Sequence, residues 1–206
     1  MNRFSVIMTV YDNGKDLEEN LPAYLSQQYE PGYEVIVVDE SSTDNTDDIL
    51  KLLKQQYPHL YTTFLPKPDI HRIRKRLALT IGVKASKNEW IIFSDINIFP
   101  QDETWLQTIA DNINGTSGIM LARYKKGDLV MRTFEDIEAV SNYIIKGERL
   151  QADGHKGTRL RKLRGKYDFI VVRADEAHEL LKLFEQHIGF SRLLGLRLSI
   201  LFRNLF

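Results

Sequence analysis

The chain has 206 residues, with 28 Lys and Arg against 28 Asp and Glu, 43% hydrophobic and 27% charged residues, the balance of one ordinary globular domain. That balance excludes a disordered, collagen-like or low-complexity chain, and the length allows burial of roughly 70% of the unfolded surface. Cysteine is absent, which excludes disulfides, zinc–thiolate sites, Fe–S clusters and thiol nucleophiles, and fits a reducing compartment.

The zero net charge conceals an asymmetry. Residues 1–60 carry four basic and eleven acidic side chains, which leaves 24 basic against 17 acidic in the remainder. An acidic half facing a basic half points to divided labour, with metal or base recognition on one side and phosphates on the other. Solvated helix faces are the plainer reading of the same composition. Met1-Asn2-Arg3 leads into an apolar run that stops at Asp12, unlike a signal peptide, and no run of about 18 uncharged apolar residues occurs. The expectation is a cytoplasmic protein.

In chain order, Phe4–Val10 is β-branched and apolar and ends at Asp12-Asn13-Gly14, which predicts a buried strand. Leu17, Leu21, Tyr24 and Leu25 recur at helical spacing over 15–28, with Pro22 disturbing the early part of that helix. Pro31-Gly32 is a turn, and 34–39 is a second strand, almost wholly apolar, as a parallel strand covered on both faces should be. Ser42 to Asp48 offers N-cap residues before Ile49, Leu50, Leu52 and Leu53, with Ser41 and Ser42 as caps, and Pro58 closes the helix. A short strand over 61–65, a basic helix over 71–86 and a buried strand over 90–94 follow. This alternation predicts right-handed crossovers and a parallel α/β sheet. After Pro100 the pattern loosens to a helix near 102–112, a strand near 118–124, a helix over 134–147, a basic loop over 151–166, a strand over 167–173 and helices over 174–188 and 190–206.

Ligands of an open parallel sheet bind beyond the carboxyl ends of its strands. Three predicted strands end there in polar groups: Thr9, Tyr11 and Asp12; Asp39, Glu40, Ser41 and Ser42; and Asp95 and Asn97. Tyr11 offers a face on which a nucleobase can stack, and Asp39 can accept from a ring N–H. Asp95 and Asn97 are oxygen donors suited to Mg²⁺ or Mn²⁺ bridging a diphosphate. The basic stretch His71, Arg72, Arg74, Lys75 and Arg76 can neutralise the same phosphates. Neither a GxGxxG nor a Walker A loop occurs.

These residues carry a resemblance. Ser5 to Asp12, Val35 to Thr46 and Gly82 to Asp95 together resemble the family 2 inverting glycosyltransferases, enzymes of the GT-A fold, over about residues 4–106. The resemblance implies an α/β protein with a mainly parallel Rossmann-like sheet flanked by helices and a short C-terminal helical extension. Residues 1–206 would form one such domain: 1–100 the half that binds a nucleotide-sugar, 101–189 a shortened acceptor half, and 190–206 an amphipathic tail. It implies nucleotide contacts at Thr9, Tyr11, Asp39 and Glu40, a basic position near the diphosphate at Lys75 or Arg76, and a metal site at Asp95 and Asn97 holding Mg²⁺ or Mn²⁺. The implied function is transfer of a sugar, UDP-linked, to a saccharide or lipid-linked acceptor in cell-surface polysaccharide or glycoconjugate synthesis. A degenerate member that binds a nucleotide or partner without turnover is the alternative.

Two departures bear on that choice. Asn97 replaces the usual final Asp of the metal motif, removing one formal charge. Inverting chemistry also needs a carboxylate base, for which Glu135 and Asp136 at a helix start and Asp153 in the loop after Gln151 are the candidates; the first two read equally well as charges on a helix dipole.

Two basic segments complete the chain. Residues 155–166 hold six Lys and Arg, a loop that can close over a diphosphate or meet a lipid-diphosphate acceptor. Aromatic residues are not interleaved there, so nucleic acid is not the expected partner. In 190–206, Leu194, Leu198, Leu201, Phe202, Leu205 and Phe206 share one helical face opposite Arg192, Arg197, Arg203 and Asn204. Such a helix lies on the inner face of the membrane, packs on the domain or joins a second protomer.

Overall fold

The structure, a computed structural model, describes residues 2–66, 74–113, 118–125, 127–142 and 167–186. Within them β1 (Phe4–Val10), α1 (Gly14–Leu25), β2 (Tyr33–Asp39), α2 (Thr46–Gln56), β3 (Leu60–Phe64), α3 (Arg74–Ala85) and β4 (Trp90–Phe93) alternate as the periodicity predicts. Then come α4 (Trp105–Asn112), β5 (Ile119–Lys125), β6 (Asp128–Phe134), β7 (Phe169–Arg173) and α5 (Ala174–Gln186). Residues 137–142 are also helical. Asp153, the 155–166 loop, His71, Arg72 and the 190–206 tail lie outside the described residues, as do the side chains of Lys75 and Arg76.

The seven strands form one sheet in the order β3-β2-β1-β4-β7-β5-β6. β1 pairs parallel with β2 and β4, and β2 with β3. β7 runs antiparallel to both β4 and β5, and β6 antiparallel to β5, so β1 to β5 share a direction that β6 and β7 reverse. The expected α/β class and mainly parallel sheet stand.

Strand alternation splits the core in two. Ile7, Ile36, Val38, Ile91, Phe93, Ile170 and Val172 pack on one face with α3 and α5. Val6, Met8, Val10, Val35, Val37, Ile92, Phe169 and Val171 pack on the other with α1, α2 and α4. Trp90 and Trp105 belong to this second core. The α3 helix lies close on the sheet because residue 82 is glycine: a Cβ there would stand 2.5 Å from Cγ2 of Ile7. The α1 helix continues through Pro22, contrary to the predicted irregularity; three hydrophobic residues of its buried face, Leu21, Tyr24 and Leu25, keep the end of the helix seated.

Beyond Pro100 the structure departs from the sequence reading in one element. Residues 128–134 are the edge strand β6, and the helix predicted over 134–147 begins only at 137. Its alternating exposure, with Leu129 and Met131 turned toward the core and Val130 and Arg132 outward, marks a half-covered edge strand.

Candidate functional site

Parallel pairing carries the ends of β1, β2 and β4 to one edge. Val10 lies opposite Asp39 in the β1–β2 ladder, and the Glu40 amide extends that ladder to the Val10 carbonyl at 2.8 Å. Ile7 lies opposite Phe93 in the β1–β4 ladder, and the Ser94 amide reaches the Ile7 carbonyl at 3.0 Å, so Asp95 emerges level with Thr9. Thr9, Tyr11, Asp39, Glu40, Asp95 and Asn97 are thus gathered along one rim. The backbone of Lys75 and Arg76 opens α3 at the same rim, because α3 follows β3 there.

The first two loops are stitched to each other. The Asp12 amide donates to Ser42 Oγ at 2.9 Å, while Asp12 Oδ1 accepts from the Thr43 amide at 2.6 Å. The Asn13 amide donates to Thr46 Oγ1 at 3.2 Å and the Gly14 amide to Asp44 Oδ2 at 2.9 Å. These contacts take up two of the orphan amides at the start of α1. Burial raises the Asp44 carboxyl, but hydrogen bonds from Thr46 and Gly14 outweigh it and hold the group below the ordinary range. Gly14 is required by the tight approach, since a Cβ there would stand 2.0 Å from Asn45 Oδ1.

Ser41 and Ser42 do not cap α2, whose N-cap is Asn45. Ser42 gives its amide and hydroxyl to Asp39 Oδ1 at 2.9 and 2.6 Å, and Ser41 donates its hydroxyl to the Leu65 carbonyl. Asp12 and Ser41 both adopt left-handed backbone, at φ 50° and 65°. An aspartate tolerates that region; for serine it is a strained conformation of the kind concentrated at ligand-binding rims.

Each predicted contact has a definite environment. Tyr11 is 44% exposed, whereas Thr9 is buried with Oγ1 lacking a hydrogen-bond partner among the described residues. A buried hydroxyl without a partner is uncommon in a native fold. Asp39 offers its second oxygen, Oδ2, beyond the Ser42 contacts at Oδ1.

Asp95 is 3% exposed, and its Oδ1 accepts from both the amide and Nδ2 of Asn97 at 2.9 Å. The donor set there is one carboxylate and one amide oxygen. No group of three or more His, Cys, Asp or Glu side chains able to hold a metal occurs among the described residues. This fits a hard cation held jointly with a diphosphate, since Mg²⁺ commonly takes only one or two protein carboxylates and completes its shell with phosphate and water. It does not fit an all-protein cage.

The base candidates separate. Glu135 and Asp136 follow the end of β6, where Phe134 lies opposite Ile119 at the start of β5, so they stand at the rim opposite Asp95. With strands advancing about 3.3 Å per residue, the separation is the length of the sheet. Asp136 Oδ1 accepts the Ala139 amide at 2.8 Å, a helix cap, as the dipole reading allows. The antiparallel β7 instead begins at the site rim and brings Asp168 there, two residues before Ile170, which pairs with Phe93. Asp168 Oδ2 accepts the Tyr124 amide at 2.8 Å, and its own amide donates to the Ala122 carbonyl at 2.7 Å. Sequence reasoning missed Asp168 because strand direction after β4 has no local signature.

It also missed a polar stripe under the Asp95–Asn97 turn. Asn20 Nδ2 donates to the Ile96 carbonyl at 3.1 Å, and the Tyr24 hydroxyl meets Ser94 Oγ at 2.7 Å, the Asp95 carbonyl at 3.1 Å and the Ile98 carbonyl. Gln27 Nε2 donates to the Asp102 carbonyl at 2.8 Å, and its Oε1 accepts the Leu106 amide at 3.2 Å. The signal available in sequence was three polar or phenolic residues at i, i+4 and i+7 on a helix face shared with Leu17 and Leu21.

Among the described residues no helix is long and apolar enough to cross a membrane. Two curated relatives align with about half of the chain. A glycosyltransferase of Escherichia coli strain K12, YibD, whose own role is uncharacterized, is 25% identical over 111 residues, 53% of this chain and 30% of the relative. Glycosyltransferase AglE of Haloferax volcanii is 29% identical over 113 residues, 54% of this chain and 36% of the relative. The match therefore takes in about a third of those relatives' own lengths. Among solved structures, TarS 1-349 of S. aureus superposes with a TM-score of 0.52 at 24% identity, covering 60% of this chain and 36% of that one. Mannosyltransferase PcManGT of Pyrobaculum calidifontis, in complex with GDP-Man and Mn²⁺, gives 0.52 at 22% identity with the same coverage. Both likenesses are in fold. Residues 5–171 match the model of Glycosyl transferase family 2, and with the strand-end motifs at one rim this establishes that the chain belongs to that family.

Proposed function

We propose that this chain transfers a sugar from a nucleotide-sugar, UDP-linked, to a saccharide or lipid-linked acceptor with inversion at the anomeric carbon. The observation that carries the reading is the convergence of three parallel strand ends, Thr9–Tyr11, Asp39–Glu40 and Asp95–Asn97, on one rim. Tyr11 stacks on the base, Asp39 Oδ2 and Glu40 read base and ribose, and the Thr9 hydroxyl gains from the ligand the partner it lacks among the described residues. Lys75 and Arg76 neutralise the diphosphate. The fold neighbours support a donor of this class: one is in complex with GDP-Man and Mn²⁺, and TarS 1-349, with a TM-score of 0.51, is in complex with UDP.

Asp95 and Asn97 would hold Mg²⁺ or Mn²⁺ together with the diphosphate. Bound there, the cation offsets the charge that develops on the leaving diphosphate. Asp168 takes the place of Glu135 and Asp136 as the carboxylate that deprotonates the acceptor hydroxyl, because it lies at the donor rim. Residues 1–100 serve the donor and 101–189 the acceptor, with 190–206 placing the enzyme at a membrane surface.

The test is calorimetric titration of UDP and GDP with and without Mn²⁺. Metal-dependent UDP binding in the wild type, lost by about a hundredfold in Asp95→Ala, is expected, since removing a charged ligand contact costs about 1.5–3 kcal/mol. No nucleotide binding under any metal condition would overturn the reading. A second reading, nucleotide binding without turnover, is favoured by the single carboxylate of the metal motif; it requires intact binding with no release of UDP from UDP-sugars in the presence of acceptors.

A further inference from the structure

Asn20 and Tyr24 of α1, with Gln27 two residues beyond its end, make contacts that packing alone does not explain. Their bonds go to main chain and to Ser94, not to the carboxylate of Asp95 or the side-chain amide of Asn97. They hold the main chain around those groups: Asn20 takes the Ile96 carbonyl, Tyr24 the carbonyls of Asp95 and Ile98, and Gln27 both the Asp102 carbonyl and the Leu106 amide. The carbonyls on either side of Asn97 and that of Asp95 itself are thus tied to a single helix. That helix is anchored at its other end in the Asp44–Thr46 loop of the nucleotide rim.

We propose that Asn20, Tyr24 and Gln27 are positioning residues for the metal–diphosphate site, holding the 94–106 segment by its backbone so that Asp95 and Asn97 present their oxygens in a fixed geometry. The inference rests on the proposed donor site and deepens it. Tyr24 is the centre of the device. Its side chain is fully buried, its ring packs edge-on against Trp105 at 5.6 Å, and Trp105 packs edge-on against Phe169 of β7 at 5.1 Å. The hydroxyl has one proton for two carbonyls, so Ser94 donates to the phenolic oxygen and Tyr24 to the backbone. This arrangement needs a neutral phenol, and burial, with the nearby Asp95 and Asp168 carboxylates, pushes its ionisation well above the ordinary tyrosine range.

The experiment measures Mn²⁺ binding by electron paramagnetic resonance, in the full chain, at saturating UDP or GDP. Tyr24→Phe keeps the ring in the Trp105 contact and removes only the hydroxyl. The expected result is an Mn²⁺ affinity weaker by about tenfold, the lower end for loss of an outer partner of a metal ligand, with metal-free nucleotide affinity unchanged. Tyr29→Phe is the control, because the Tyr29 hydroxyl also bonds backbone, at the Asn2 carbonyl, away from Asn20, Tyr24, Gln27 and the 94–106 segment. It should retain wild-type Mn²⁺ affinity. Asn20→Ala, which frees only the Ile96 carbonyl, should show a smaller loss in the same direction and carries the test if Tyr24→Phe does not fold. Unchanged Mn²⁺ affinity in folded Tyr24→Phe, or in Asn20→Ala where that variant carries the test, overturns the inference, as does an equal loss in Tyr29→Phe. Failure of the donor-site reading is recognised separately, as absence of Mn²⁺–nucleotide binding in the wild type, and takes the inference with it.

Discussion

The central strands and the far edge strand of the sheet are buried by different means. β1 is buried along its whole length and β4 likewise, because helices cover both faces of the parallel region. β6 at the far edge is alternately half-buried and exposed, with β5 as its neighbour on one side. The consequence for the site is direct. In the parallel region every strand ends at the donor rim, so an acidic residue after a strand is at the rim by topology. In the reversed region, Asp136 after β6 falls at the opposite rim and Asp168 before β7 falls at the donor rim. The residue types are alike; strand direction separates them.

The largest test of this contrast is in stability. Ile91→Ala removes a fully buried side chain from the first core and should cost about 2–5 kcal/mol. Val130→Ala on β6, where the side chain is 39% exposed, should stay within about 0.5 kcal/mol. Urea midpoints of the two variants check this, and a similar loss in both would mean that β6 is covered in the full chain.

At the next level the two rims are compared by function. Asp39→Asn should weaken UDP binding by about tenfold, through loss of a charge-assisted hydrogen bond. Asp136→Asn should leave UDP affinity at the wild-type value, and Asp136→Ala should cost about 1 kcal/mol of stability through the lost cap. Isothermal titration of both Asn variants would refute the topological argument if Asp136→Asn proved the more damaging to binding.

The smallest effect concerns Glu176 in the first turn of α5. Its Oε2 is buried without a hydrogen-bond partner among the described residues, and burial, then the charges of Asp175, Asp136 and Glu179, raise its carboxyl above the ordinary value of 4.5, with Arg173 opposing. A carboxyl raised in the folded state binds more protons there than when unfolded, so its contribution is most favourable in acid and is lost as pH rises through the folded value. Glu176→Gln should therefore raise Tm at neutral pH, with the gain shrinking as pH falls toward 4.5. A gain that persisted unchanged in acid would show that charge is not its cause.

How much of this was legible in the residues follows from the range of the interactions. The strand-end motifs could be read because each lies where an apolar run meets turn residues within a few positions. The alternation of β6 was also present, but Arg132 and Thr133 in succession blur a period-two pattern over only seven residues. Ser41 and Ser42 were misread as caps because a hydroxyl before a helix is ambiguous until its acceptor is known; the acceptors are Leu65 and Asp39. The roles of Asn20, Tyr24 and Gln27 left almost no trace, since bonds to main-chain groups 71 to 79 residues away ask nothing of the partner's side chain.

Apolar periodicity and turn chemistry were enough to locate β1 through β4, the α/β class and the three polar strand ends, because these depend on contacts within a few residues and on burial that each strand's own composition reports. The order of strands beyond β4, the reversal of β6 and β7, the rim at which each carboxylate stands and the clamp on the Asp95 turn were decided in tertiary structure. Those features depend on which distant backbone groups satisfy one another's hydrogen bonds, and one backbone amide or carbonyl is chemically the same as the next.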